Sequence, residues 1–178
     1  MSKWIIDSDH SVASFSIKHM MIANVRGQFN KMKGEIRIHE EDITKSSIEM
    51  TIDVNSIITG IQKRDDHLRS ADFFDATKYP YMTFKSKRII QTGINGVKVI
   101  GDLEIHGITK ESSLDVEHFG PVKSPFGETT LGLTARTEIN REDFGIMWNE
   151  PMDMGGFMVG KDVQIIVDIE ADLESDKN

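Results

Sequence analysis

The densest polar constellation in the chain lies in Arg64-Asp65-Asp66-His67-Leu68-Arg69-Ser70-Ala71-Asp72-Phe73-Phe74-Asp75, where carboxylates and an imidazole offer the groups used in general acid–base catalysis. The same residue types also collect as ion pairs where a helix meets a turn, and here the spacing favours that structural role. Asp65 stands four residues before Arg69, the favourable order for a pair on one helix face. Arg141 and Asp143 flank an apolar strand end and read the same way. The six histidines (His10, His19, His39, His67, His106 and His118) are scattered, and no two share the i, i+4 spacing of a helical zinc site. With no cysteine there is no disulfide, thiolate ligand or thiol nucleophile. There is also no G-x-S-x-G elbow, phosphate-cradling glycine loop or dinucleotide fingerprint. The sequence therefore predicts no catalytic residue, no metal and no cofactor, and the function is sought in binding.

Composition narrows the partners. The 178 residues suit one domain, taken as 1–174 with a frayed tail at 175–178. Twenty-one basic and 29 acidic residues give a net charge of −8 without blocks of like charge, which argues against nucleic acid and anionic membrane surfaces. The first residues lack a secretory h-region and no apolar stretch is long enough to span a bilayer, so the expectation is a soluble, cytoplasmic protein. The ten methionines are the compositional oddity, because Met suits surfaces that adapt to a variable apolar partner.

The elements that must position any site are strands. Apolar residues recur at a period of two in Ile48-Met50-Ile52-Val54, in Val97-Val99-Leu103-Ile105, in Leu131-Leu133-Ala135-Ile139 and in Val163-Ile165-Val167-Ile169-Ala171-Leu173, each against charged or hydroxylated neighbours. The phase slips near Asn30 and Lys31, where a bulge or bend is expected, and Asn95-Gly96 marks a hairpin. Residues 63–69 read as a polar helix, and Asn149 with Pro151 reads as the start of a short helix ended by Gly155-Gly156. About eight amphipathic strands hide their apolar faces and their edges together when the sheet closes into an antiparallel barrel. The rows that would point inward carry Phe15, Ile17, Phe29, Ile36, Ile38, Met50, Ile52, Phe84, Val99, Leu103, Leu133, Val163, Ile165 and Val167. Gly27, Gly34, Gly101, Ala13 and Ala135 in the same rows leave volume unless bulky neighbours fill it, so a filled core and a cavity both remain open.

Residues 144–160 break the pattern and hold four of the ten methionines. Met147, Met152, Met154 and Met158, with Trp148 and Phe157, read as lining a pocket end, as a plug, or as a subunit contact in a homodimer.

Ordered motifs along nearly the whole chain resemble the YceI-like family, also called polyisoprenoid-binding or lipocalin-like YceI domains. They are Trp4-Ile5-Ile6-Asp7 with His10-Ser11, Phe15, Ile17 and His19; Val25-x-Gly27-x-Phe29 with Gly34; Arg64-Asp65-x-His67-Leu68-Arg69-Ser70-x-Asp72-Phe73-Phe74-Asp75 before Tyr79-Pro80; Gly101-Asp102-Leu103-x-Ile105; and Ile139-x-Arg141-x-Asp143-Phe144-Gly145. The resemblance implies an eight-stranded lipocalin-like barrel that takes the apolar tail of an isoprenoid lipid, such as a polyprenyl phosphate or a quinone. On that reading the inward row, His19 and the Met-rich segment meet the ligand, while His10, Arg64, Asp65, His67 and Asp72 form a polar rim. The alternative is an enzyme acting on a prenyl lipid through the cluster around His67.

Overall fold

Each stretch of alternating apolar and polar residues forms a strand in the computed structural model, which describes residues 1–174; the tail expected at 175–178 lies outside the described residues. In chain order the elements are β1 (Ser2–His19), β2 (Ala23–Phe29), β3 (Met32–Ile38), β4 (Ser47–Asp53), β5 (Ile57–Ile58), α1 (Gln62–Arg69), β6 (Tyr81–Gln91), β7 (Gly96–Ile105), β8 (Ile108–Lys123), β9 (Thr129–Asn140) and β10 (Val159–Leu173). All pairings are antiparallel, and β10 returns to β1 with Trp4 opposite Leu173 and Ile17 opposite Val163. On its other edge β1 carries β3 along Ser2–Ile5 and β2 along Ala13–His19. Strands β2 and β3 are thus one long stave broken at Asn30 and Lys31, and the sheet closes as an eight-stranded barrel. The expected bend is there: both main-chain N–H groups at the break donate to Ser56 Oγ at 3.1 Å.

A second break in phase lies within β1. Trp4 and Ile6 are buried at even positions and Ala13 at an odd one, because the β1–β10 register shifts between Asp7 and Val12. Ser11 substitutes for the interrupted ladder there, donating through Oγ to the Glu170 carbonyl at 3.3 Å and accepting from its N–H at 3.1 Å.

Two local expectations are corrected. Asp65 does not pair with Arg69. Its buried carboxylate turns toward the β5–α1 connection and accepts from Thr59 N–H at 2.8 Å and Thr59 Oγ at 2.5 Å, since a buried charge needs donors more than a surface partner. Arg69 reaches Asp66 at 3.2 Å and the Ile57 carbonyl at 2.8 Å instead. The helix expected from Asn149 is absent as well: Pro151 and Phe157 form an isolated β-bridge around a turn in which Gly155 and Gly156 both have φ of +86°. Asn149 caps nothing because its amide is committed to β10, donating to the Val159 carbonyl at 2.7 Å and accepting from its N–H at 3.0 Å.

The inward glycines do not create the empty space; they admit large neighbours. Phe15 lies over Gly27, whose added Cβ would stand 2.5 Å from the ring Cζ, and Phe84 lies over Gly101 at 2.8 Å. At Gly34 a Cβ would collide with the Glu49 carbonyl of β4, so this crossing needs a residue without a side chain. Gly34→Ala is expected to destabilise the barrel by about 1–3 kcal/mol through overpacking, read as a lower urea midpoint at unchanged m-value.

Candidate binding site: an apolar interior in two chambers

The inward rows meet around two cavities. The chamber beneath α1 has a volume of about 150 Å³. Its walls include Phe15, Ile17, Phe29, Ile52, Leu103, Val163, Ile165 and Val167 from the strands. The second chamber, toward the opposite end of the barrel, has about 210 Å³ and is walled by Ile36, Ile38, Val99 and Leu133, with His118 and Pro121 beside them. Met50 and Phe84 line both. Strand phase thus locates the row correctly. It misses Leu114, which also lines both chambers, and the lid over the first, made of Leu68, Phe73 and Phe74 from α1 and the turn after it. The pair Phe73-Phe74, apolar within a polar stretch, is the sequence signal for that lid.

The Met-rich segment sits elsewhere. Met147, Met154 and Phe157 are exposed, Met154 completely. Met152, Met158 and Trp148 are half-buried, and none of the six lines either chamber. The reason is local anchoring: Phe144, Ile146 and Val159 are the residues of this segment that turn into the first chamber, and residues 147–158 between them cross the barrel end to the β1–β2 turn. There Met20 N–H donates to the Met158 carbonyl at 2.7 Å, next to a half-buried His19.

The expected polar rim divides into two places. Arg64 donates to Thr59 Oγ and to the Thr59 carbonyl, both at 2.7 Å, and together with Asp65 ties the loop before α1 to the helix. His67 Nε2 and Asp72 share a hydrogen bond of 2.8 Å, while the imidazole edge packs on Phe73 and Trp148 with ring centroids 5.0 Å away. These four residues brace the lid and stand outside the chamber walls. His10 is remote from them, on the outer face of the β1 bulge, hydrogen-bonded to Asp7 at 2.6 Å. That bond, with Asp7's charge, raises the His10 pKa, and the same bond, with the charge of the protonated imidazole, lowers that of Asp7. Ligand-type atoms of Asp7, His10 and Glu170 lie within 4.8 Å of one another, the one such grouping among the described residues, and it is largely exposed with the imidazole already engaged by Asp7.

Arg141 is the unusual polar group of the interior. It is 4% exposed and has main-chain carbonyls as its hydrogen-bond acceptors. Nε donates to Gly160 at 2.7 Å and Nη1 to Ile146 at 2.8 Å and Trp148 at 2.9 Å. Burial pushes its pKa below the usual arginine range, opposed by the neighbouring Glu142 carboxylate. One planar cation thereby stitches the start of β10 to the segment that closes the barrel end, without the expected Asp143 partner.

An eight-stranded antiparallel barrel with an apolar lumen, a short helix over one end and a bulged seam defines a lipocalin-like protein. The chain belongs to the YceI-like domain family, whose model matches residues 4–171. It is 37% identical over 165 residues to a UPF0312 protein of Staphylococcus aureus, covering 92% of this chain and 94% of that one. Among solved structures it resembles BcnA of Burkholderia cenocepacia (TM-score 0.81, 27% identity, 93% and 98% of the two chains) and the YCEI protein of Campylobacter jejuni (0.75, 31%, 89% and 91%). A polyisoprenoid binding domain of Saccharophagus degradans shares the fold at TM-score 0.67 and 14% identity over 98% and 100% of the chains. Among the described residues no helix is long and apolar enough to cross a membrane.

These polar groups carry two expected outcomes. Arg141→Ala leaves several buried carbonyls without donors and is expected to cost about 3 kcal/mol or more in urea unfolding, more than any exposed Lys or Arg. His10 is expected to titrate above its ordinary value of 6.5 by ring-proton NMR, and Asp7→Asn to bring the midpoint back toward it. Because the folded pKa is the higher one, the His10–Asp7 attraction is at full strength below the unfolded histidine's pKa and fades as pH rises through the folded value.

Proposed function

We propose that the barrel binds the apolar chain of an isoprenoid lipid, of polyprenyl phosphate or isoprenoid quinone type, and serves as its carrier, scavenger or sensor. The observation that carries this reading is a lumen of two adjoining chambers whose wall surface is almost wholly apolar and comes mainly from Ile, Leu, Val, Met and Phe. A prenyl chain asks for no directional partner and gains about 25 cal/mol for each Å² of apolar surface removed from water. The description of the Saccharophagus degradans domain as polyisoprenoid binding supports the same class of ligand. The placement of Arg64, Asp65, His67 and Asp72, bonded to one another or to the main chain outside the chamber walls, favours binding over catalysis.

Solvent extraction of freshly purified protein followed by mass spectrometry is expected to recover a prenyl lipid near one mole per mole. Protein that arrives empty and takes up no prenyl probe contradicts the proposal.

A further inference from the structure

The two chambers adjoin at three side chains that wall both: Met50 on β4, Phe84 on β6 and Leu114 on β8. Met50 and Phe84 are direct cross-strand partners, and Leu114 stands opposite Val99 on β7. All three are buried, Phe84 to 2% exposure. None carries a polar group, so moving them breaks no hydrogen bond.

Their freedom differs. The ring of Phe84 is seated on Gly101, which fixes it against β7. Met50 is paired with Gly34 on its other flank, so no side chain stands opposite it on β3, and an unbranched thioether changes rotamer easily. The collar thus has a fixed member and a mobile one.

Capacity gives the collar a consequence. A dry apolar cavity of about 150 Å³ holds a single six-carbon ring. Chambers of about 150 and 210 Å³ therefore each take only a short piece of a prenyl chain. A long chain has to pass from one chamber into the other, and the shared side chains stand in that path.

Resting on the reading that the ligand is a prenyl lipid, we propose that Met50, Phe84 and Leu114 form a collar that sets chain-length preference. A chain short enough for one chamber leaves the collar closed, and a longer one enters both by displacing it, chiefly at Met50.

The test measures equilibrium binding of geraniol and of a long polyprenol to wild type, Leu114→Phe and Met50→Ala. Thickening the collar with Leu114→Phe is expected to weaken the long probe about tenfold relative to geraniol. Opening it with Met50→Ala is expected to strengthen the long probe relative to geraniol by a similar factor. Should Leu114→Phe fail to fold, the Met50→Ala ratio decides alone. Variants that bind both probes with the wild-type ratio, or shift it in the opposite direction, overturn the collar and leave the binding reading standing. Wild type that binds neither probe overturns both.

Discussion

Strand β1 hydrogen-bonds β10 on one edge and β2 and β3 on the other, so the sheet has no free edge along this seam. Closure at eight staves fixes a diameter, and with it a lumen that side chains either fill or leave partly open. Everything else responds to that lumen. Aromatic rings at Phe15 and Phe84 take the space over Gly27 and Gly101, and the volume still unfilled becomes two chambers instead of one.

A hollow barrel loses packing contacts along its cavity walls, and the structure concentrates its polar order where the ends have to be held. At the helix end Asp65, Arg64 and Arg69 secure α1 to the loop before it, while Arg141 and Asn149 fasten the final crossing segment to β10. Most of these bonds end on main-chain atoms. They therefore define where the lid and the crossing segment sit, and Arg141, the one charged residue that also lines the first chamber, has its guanidinium engaged by carbonyls. Charges on the outer faces pair across neighbouring strands, as Lys98 does with Asp115 at 2.7 Å, and the acidic excess coats the exterior.

Much of this is legible in the chain itself. Period-two alternation places the inward row from Phe15 to Val167, since pleating leaves a strand little choice once one face is dry. The features that escape it are set by tertiary context. The bulge between Asp7 and Val12 depends on Ser11 bonding to Glu170, more than a hundred residues away in sequence, and no local spacing announces it. The non-helical course of 149–155 depends on Asn149 meeting Val159, although Asn before Glu-Pro reads locally as a helix start. The Met-rich segment misleads for a related reason. Its composition matches a pocket lining, but Arg141 draws Ile146 inward and leaves Met147, Met154 and Phe157 on the surface. Leu114 is hidden because β8 is mostly exposed and carries few apolar residues to mark its phase.

Whether the apolar chain of a prenyl ligand lies inside the barrel is decided by a crystal structure of the protein grown with a bromine-labelled prenyl alcohol, because the anomalous signal marks where the chain ends. The label is expected within the lumen, against the walls formed by residues such as Phe29 and Ile165 or Val99 and Leu133. A label bound on the outer face or at the exposed Met154 loop, with both chambers unchanged, would contradict it.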